Sequence, residues 1–320
     1  MIYDLIIIGG GPAGAAAGVY AARKKIRSLL ITKDWGGQSK VSPDVQNWIG
    51  IKNISGLELA KQIEEHVKAY AENVLDFDEG SLVVKVSQIK DAPDKDSLLF
   101  EIETDKGKKY QTRTIIIASG ASRKKLNIPG ADKFESRGVV YCASCDAPLF
   151  KDKQVAVIGS GNAGLETAQQ LLTYCSKIYV LEFQDEFIGD SITREALFKN
   201  EKVLPIASAE IIEIKGDNLV SSLVYKNRKT GEEKEIEVQG VFVEIGSLPN
   251  TDFIKDFVKT NKYGEITIEH KTGKTSIEGI WAAGDATDQP YKQNNISMGD
   301  AVKALEDLYI WLQKKKSKNI

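Results

Sequence analysis

The chain is poor in sulfur and nearly free of imidazole, with three cysteines, two methionines and two histidines among 320 residues. Three cysteines cannot build a structural disulfide framework, so a reducing, cytoplasmic setting is expected. A structural zinc needs four ligands, usually a second CxxC or a histidine pair at similar spacing, and Cys175, His66 and His270 each stand alone, so no metal is expected. A surplus of one charge is also missing. The net charge is −2 and the one basic run, at residues 314–318, sits at the end of the sequence, which argues against nucleic acid as a partner. No uninterrupted apolar segment approaches the roughly 20 residues of a membrane helix. The opening "MIYDLIIIGG" has neither a basic leader nor a small-residue cleavage site, and it reads as a buried strand. With 42% hydrophobic and 28% charged residues, the length suffices for two ordinary domains, each with its own core.

One pattern occurs twice. "DLIIIGGGPAGAAAGVYAARKKIRSLLIT" is an apolar run, then Gly9, Gly11 and Gly14 at GxGxxG spacing, then an alanine-rich helix and a second apolar run, which together describe a βαβ unit. In such a unit Gly9 permits the tight turn, Gly11 lets a pyrophosphate approach the backbone and Gly14 lets the helix lie on the strand. The helix N-terminus then receives the phosphates. "KQVAVIGSGNAGLETAQQLLTYCSKIYVLEF" repeats the arrangement with Gly159, Gly161 and Gly164. Its second strand ends at Leu181-Glu182, where an acid hydrogen-bonds an adenosine ribose and repels a 2′-phosphate. Glu182 therefore favours NADH over NADPH; the plainer alternative is that it caps the strand. The residues after it, "FQDEF", carry no arginine, and Arg194 follows too late to serve. The first repeat has Thr32 and Lys33 where the acid would stand, so its nucleotide must be held differently.

Between the repeats come a helical stretch, "SGLELAKQIEEHVKAYAE", two strand-like segments, "SLVVKVSQI" and "SLLFEIET", joined by a polar linker, and a strand "RTIIIASGA". After the second repeat come "EIIEIKG", "LVSSLVYKN" and "EIEVQGVFVEIG", and then "GIWAAGDATD" restores a strand followed by Gly284-Asp285. The economical architecture is one nucleotide domain interrupted by another, with crossings near Ser119 and Ile245.

Two of the three cysteines fall in "YCASCDAP", as Cys142 and Cys145 with Asp146 directly behind. Three readings are open: half of a metal site, an inert buried pair and a redox dithiol. The redox reading has a physical basis, because sulfurs at CxxC spacing close a small ring and can cycle between dithiol and disulfide. Exchange also needs a proton for the leaving thiolate, and Asp146 is placed to supply it. Cys175 is read as a packing residue. His66, on the polar side of its helix, and His270, in a charged loop, are not assigned to catalysis.

The motifs "GGGPAG", "GGQ", "QNWIG", "IIIASGA", "CASCDAP", "GSGNAG", "GSLPN" and "AAGDATD", taken in order, resemble the low-molecular-weight thioredoxin reductases across essentially the whole chain. In the second half, "LEF", "GSLPNT" and "PYKQ" look closer to the reductase portion of the flavoprotein subunit of alkyl hydroperoxide reductase. The resemblance implies an α/β fold of two Rossmann-like, three-layer ββα dinucleotide-binding domains, one inserted into the other. The FAD domain would comprise residues 1–117 and 246–320, and the inserted NAD(P)H domain, carrying the CxxC, residues 118–245. By resemblance FAD would be held by Gly9, Gly11, Pro12, Ala13 and Gly14, by Gly36, Gly37, Gln38 and Asn47, by Ala118 and Gly120, and by Gly284 and Asp285. Lys292 and Gln293 would begin the last helix at the flavin; family members usually carry arginine where Lys292 stands. NADH would be held by Gly159, Gly161, Asn162, Ala163, Gly164, Glu182 and Gly246.

The resemblance further implies a flavin-dependent disulfide reductase that passes electrons from NADH, or NADPH, through FAD and Cys142–Cys145 to a disulfide on a small thioredoxin-like, glutaredoxin-like or peroxiredoxin-linked protein. Cys145 would meet the flavin and attack the partner, Cys142 would resolve the mixed disulfide, and rotation of the inserted domain at the crossings would let nicotinamide and disulfide take turns at one flavin face. A homodimer is expected by the same resemblance. Two departures stand out: the His-Arg-Arg run of NADPH-specific thioredoxin reductases is replaced by "LEFQDEF", and the paired thioredoxin-like modules of the alkyl hydroperoxide reductase flavoprotein do not precede the FAD domain, so a separate relay protein is expected. The rivals are a ferredoxin–NAD(P)H or deazaflavin-linked flavin reductase of the same build and a non-catalytic flavoprotein scaffold. Ferredoxin–NAD(P)H reductases lack the dithiol, and a scaffold would leave the flavin spectrum unchanged by NADH.

Overall fold

The computed structural model describes residues 1–42, 45–89 and 98–318. The polar linker expected at 90–96 lies outside the described residues.

The apolar run at the start of the chain forms the strand Ile2–Gly10, with Leu5, Ile6 and Ile7 fully buried. It needs apolar side chains on both sides because it lies inside a parallel sheet covered on both faces. Ser28–Trp35 and Lys109–Ile117 flank it in parallel register, Leu75–Glu79 extends the sheet beyond Ser28–Trp35, and Ile280–Ala282 pairs parallel with Lys109–Ile117. Val83–Gln88 and Phe100–Thr104 complete the sheet as antiparallel strands. Three helices cover one face. Helix α1 (Pro12–Arg23) starts with proline at a first-turn position, where its missing N–H costs nothing. Its buried alanines let it lie close to the strands. Helix α2 (Gly56–Ala71) is capped by Ser55, whose hydroxyl accepts from Glu58 N at 3.2 Å, and it turns Leu59, Ile63 and Val67 inward. The third is the long C-terminal helix.

A second parallel sheet of five strands runs Val203–Ile206, Lys177–Leu181, Gln154–Ile158, Gly240–Val243, Val139–Val140. One face carries the short helix α3 (Ala143–Asp146), helix α4 (Asn162–Leu171) and helix α5 (Ser191–Phe198). The other face is covered by an antiparallel sheet of Ala209–Gly216, Val220–Asn227 and Glu233–Glu237. This is the ββα layering that the resemblance implies. One expectation changes. "EIEVQGVFVEIG" reads as a single segment, yet its start completes the strand Glu233–Glu237 of the antiparallel sheet and its middle forms Gly240–Val243 of the parallel one. Buried Val238 and the partly buried Gln239, whose side chain accepts from Gln154 N at 3.0 Å, carry the chain from one layer to the other.

The first sheet draws its strands from residues 2–117 and 280–282, and the second from 139–243. Where the chain passes between them, Ala121–Arg123 pairs antiparallel with Ser247–Pro249, and Asn250 Nδ2 donates to the Ser119 carbonyl at 2.9 Å. The chain ends in helix α6 (Asn294–Lys318), packed against α1. No helix among the described residues is long and apolar enough to cross a membrane.

Candidate active site

Cys142 and Cys145 are joined as a disulfide, with their Cα atoms 5.3 Å apart, and both are partly exposed. Cys142 caps α3 and Cys145 lies within it, and both Cys145 N and Asp146 N donate to the Cys142 carbonyl. The spacing of the pair is thus set by one helical turn. Ser144 Oγ donates to Gln170 Oε1 at 3.1 Å, which fastens α3 to α4. Asp146 is 3% exposed and accepts from Ser42 Oγ at 3.1 Å. Ser42 comes from the first sheet's side of the molecule, so this bond spans the two units.

The disulfide opens onto a cavity whose other wall is built from the first unit: Gln38, Ser42 and Val45, then Asp285, Lys292 and Gln293. Arg123, from the crossing strand, also lines it. Burial pushes the Asp285 carboxyl above its ordinary range, against the opposing pull of Lys292 and of Ser297 Oγ, which donates to it at 3.2 Å. The Lys292 ammonium donates to the Thr287 carbonyl and pairs with Glu265 at 3.0 Å. The expectation that Lys292 and Gln293 begin the last helix needs a small correction, because α6 starts at Asn294. Gln293 instead accepts from Asn47 Nδ2 at 3.1 Å, and Asn295 Nδ2 donates to the Asn47 carbonyl at 2.7 Å. The loop holding Asn47 is thereby tied to the start of α6. Gln38, Asp285, Lys292 and Gln293, scattered through the sequence, line one cavity with Cys142 and Cys145, and Asn47 is tied to it through Gln293.

The glycine loops lie at the N-termini of α1 and α4, and neither helix has a side-chain cap. Within each loop the glycines differ. A Cβ on Gly14 would collide with the Gly9 carbonyl and one on Gly164 with the Gly159 carbonyl, so helix and strand pack too closely for any side chain. Gly9 also backs onto Ala118, and Gly159 onto Glu244. At Gly11, φ is −74° and among the described residues a Cβ would find only Gly37 Cα, at 3.8 Å; at Gly161, φ is −63° and none of the described residues lies within 4 Å of one. Gly36 and Gly37 face the first loop from the segment after Trp35, and Gly120 and Gly246 lie on the two crossings. Pro12 and Ala13 occupy the first turn of α1, and Asn162 and Ala163 that of α4. Gly284 packs against Ala13, which sets Asp285 beside the first loop.

Glu182 is 4% exposed at the end of its strand. Its Oε2 accepts from Ser160 N at 2.9 Å and Ser160 Oγ at 2.7 Å, and its Oε1 from Gln184 N at 2.9 Å. The carboxylate therefore anchors the second glycine loop. Arg194 is engaged with the Phe187 carbonyl at 2.6 Å. No motif marks Ser42, which bonds Asp146, Arg123, which lines the cavity, Glu244, which backs onto Gly159, or Arg228, which donates to the Phe183 carbonyl.

The sequence model of the pyridine nucleotide-disulphide oxidoreductase family matches residues 3–304. The chain belongs to that family. Similar members include a Bacillus subtilis (strain 168) protein named NADH dehydrogenase, 41% identical over 302 residues, which are 94% of this chain and 57% of that protein. A Pseudomonas aeruginosa protein, named as a subunit of alkyl hydroperoxide reductase, is 40% identical over 303 residues, again 94% of this chain and 57% of that protein. The chain thus spans a little over half the length of these curated relatives. The crystal structure of thioredoxin reductase from Streptococcus pyogenes matches with a TM-score of 0.87 at 32% identity, covering 98% of this chain and 99% of that one. The resemblance drawn from the motifs, and the two-unit α/β fold it implied, are borne out within the family.

Proposed function

We propose that this chain is a flavin-dependent disulfide reductase in which residues 1–117 and 246–320 bind FAD, residues 118–245 bind NADH, and electrons leave through Cys142–Cys145 to a disulfide on a small redoxin. One observation carries the reading: the disulfide shares its cavity with Gln38, Asp285, Lys292 and Gln293, the residues that the resemblance assigns to the flavin. The Bacillus subtilis and Pseudomonas aeruginosa relatives, named for NADH dehydrogenase and alkyl hydroperoxide reductase, and the thioredoxin reductase neighbour support the same class of chemistry.

The glycine loops fit a dinucleotide each. Gly11 and Gly161 have ordinary φ values and room for a Cβ within the protein, so the need for glycine there is not internal packing. A pyrophosphate lying against the uncapped N-termini of α1 and α4 supplies that need. Gly9, Gly11, Pro12, Ala13 and Gly14, with Gly36, Gly37, Gln38, Asn47, Ala118, Gly120, Gly284, Asp285, Lys292 and Gln293, would hold FAD. Gly159, Gly161, Asn162, Ala163, Gly164, Glu182 and Gly246 would hold NADH. When bound, FAD supplies two-electron chemistry between a dihydronicotinamide and a disulfide. Asp146, buried behind Cys145 and held by Ser42, keeps a carboxyl where a departing thiolate needs a proton. Cys145 attacks the partner disulfide and Cys142 resolves the mixed intermediate.

NADH is the preferred donor in this reading. Glu182 uses three of its roughly four acceptor sites on the loop and on Gln184, which leaves one for a ribose hydroxyl. A 2′-phosphate would meet that carboxylate together with Asp185 and Glu186.

Anaerobic NADH addition to the FAD-loaded chain, followed by thiol alkylation and mass analysis, tests the proposal. Both Cys142 and Cys145 should become alkylated, and Cys145→Ser should abolish reduction of the host's small CxxC proteins while flavin bleaching by NADH persists. A flavin that bleaches fully while the disulfide stays closed, or full acceptor reduction by Cys145→Ser, would overturn it.

A further inference from the structure

Phe183 follows Glu182 at the end of the strand that closes the second glycine loop, and it is 50% exposed. Its ring is covered from a distant part of the chain. Arg228, in the turn between Val220–Asn227 and Glu233–Glu237, sets its guanidinium carbon 4.0 Å from the ring centroid. The same guanidinium donates from Nη1 to the Phe183 carbonyl at 2.8 Å. The main chain reinforces the contact, since Arg228 N donates to the Ser208 carbonyl and Ser208 N to the Gln184 carbonyl, each at 2.8 Å. Ser208 Oγ closes the lacing on Asp185 Oδ1 at 2.8 Å. Arg228 is exposed, so the outer face of its guanidinium is open.

In a parallel sheet of this topology a dinucleotide lies across the carboxyl ends of the strands. Its pyrophosphate rests on the helix after the first strand and its adenosine over the end of the second. Here the second strand ends at Glu182-Phe183. Guanidinium planes and aromatic rings are the surfaces on which bases stack. We propose that Arg228 and Phe183 form the adenine platform of the NADH site, a specificity-determining pair that reads the base and not a 2′-phosphate. This rests on the assignment of the dinucleotide to residues 118–245.

Two features favour the base over the phosphate. A phosphate clamp works through the donor edge of a guanidinium, and part of that edge is committed to the Phe183 carbonyl. The neighbouring charges are also wrong for a dianion, because Glu182, Asp185 and Glu186 are acidic and Lys229 lies 3.8 Å from Asp185. The surface an incoming adenosine meets is therefore a flat cation on a phenyl ring, bordered by carboxylates.

Calorimetric titration of the FAD-loaded, disulfide-oxidised chain with ADP-ribose, 2′-phospho-ADP-ribose and nicotinamide mononucleotide tests the pair without turnover. Arg228→Ala should weaken ADP-ribose about tenfold, in keeping with the worth of one stacked base. It should leave nicotinamide mononucleotide binding unchanged. Phe183→Leu, which keeps apolar volume and removes the ring, should weaken ADP-ribose in the same sense, and melting curves of both variants should match wild type. Arg228→Lys keeps the charge without the plane and should bind ADP-ribose as weakly as Arg228→Ala. A loss confined to the 2′-phospho ligand would overturn the proposal in favour of a phosphate clamp. Wild-type affinity for ADP-ribose in Arg228→Ala, or full rescue by Arg228→Lys, would also overturn it. If wild type itself fails to bind ADP-ribose, the dinucleotide assignment falls first and this pair falls with it.

Discussion

Glu244 is a largely buried carboxyl that the proposed mechanism does not use. It follows the strand Gly240–Val243, accepts from Thr167 Oγ1 at 2.9 Å, and has its carbonyl against Gly159. Burial pushes its pKa up to about 7, with Glu166 adding to the shift and Arg123 and the Thr167 hydroxyl opposing it. The folded chain therefore holds this proton more tightly than the unfolded chain, whose glutamate titrates near 4.5. Stability from this group is complete below about pH 4.5, declines as pH rises toward 7, and stays reduced above it. Glu244→Gln mimics the protonated form and can still accept from Thr167. It should stabilise the chain on the order of 2 kcal/mol at about pH 8 and change little at about pH 5, as read by melting at the two pH values. Equal shifts at both would mean that the carboxyl is solvated. Nothing in the sequence marked Glu244 as buried, because its depth comes from α4 and the crossing strand closing over it. Arg228 was equally illegible: it stands 45 residues from Phe183, and only the antiparallel sheet brings them together. The pairing of Cys142 with Cys145 and the place of Glu182 at a strand end were legible, since CxxC spacing and a βαβ pattern fix them.

At the scale of elements, the two βαβ units could be read because apolar runs, GxGxxG and helical periodicity agree with one another in each. The run at 235–246 could not, because its alternation stays in phase while the chain changes sheets at Val238 and Gln239. The fingerprint gives its glycines different jobs, and the structure separates a packing glycine from an open one in each loop. Gly164 is a packing glycine whose Cβ would strike the Gly159 carbonyl, whereas Gly161 has open space around it. Gly164→Ala should therefore cost about 1–3 kcal/mol by forcing α4 away from its strand. Gly161→Ala should unfold like wild type within about 1 kcal/mol while NADH affinity falls by about tenfold or more, measured by denaturant titration and calorimetry. If Gly161→Ala binds NADH normally, the pyrophosphate does not approach that residue and the loop is a tight turn only.

For the whole molecule, the question is whether the two units are separable. Buried apolar clusters among the described residues do not mix them. Two clusters draw on residues 3–118 and 254–312, and two on residues 131–243. The chain enters and leaves the second unit through strands that pair Ala121 with Pro249 and Arg123 with Ser247, so its two ends lie side by side. An insertion with adjacent ends and its own core meets the ordinary conditions for folding alone. Residues 121–249, expressed separately under reducing conditions, should melt cooperatively and bind ADP-ribose within about threefold of the whole chain, a difference of under about 1 kcal/mol. The complement, residues 1–119 joined to 250–320 by a short Gly-Ser linker, should bind FAD. Trp35, Trp48, Trp281 and Trp311 all fall in the complement. Quenching of tryptophan emission by flavin should therefore survive the excision, while the excised unit is followed by circular dichroism. A fragment that stays unfolded while the complement folds would mean that contacts such as Ser42 with Asp146 hold the second unit together, and that the inserted domain depends on its host.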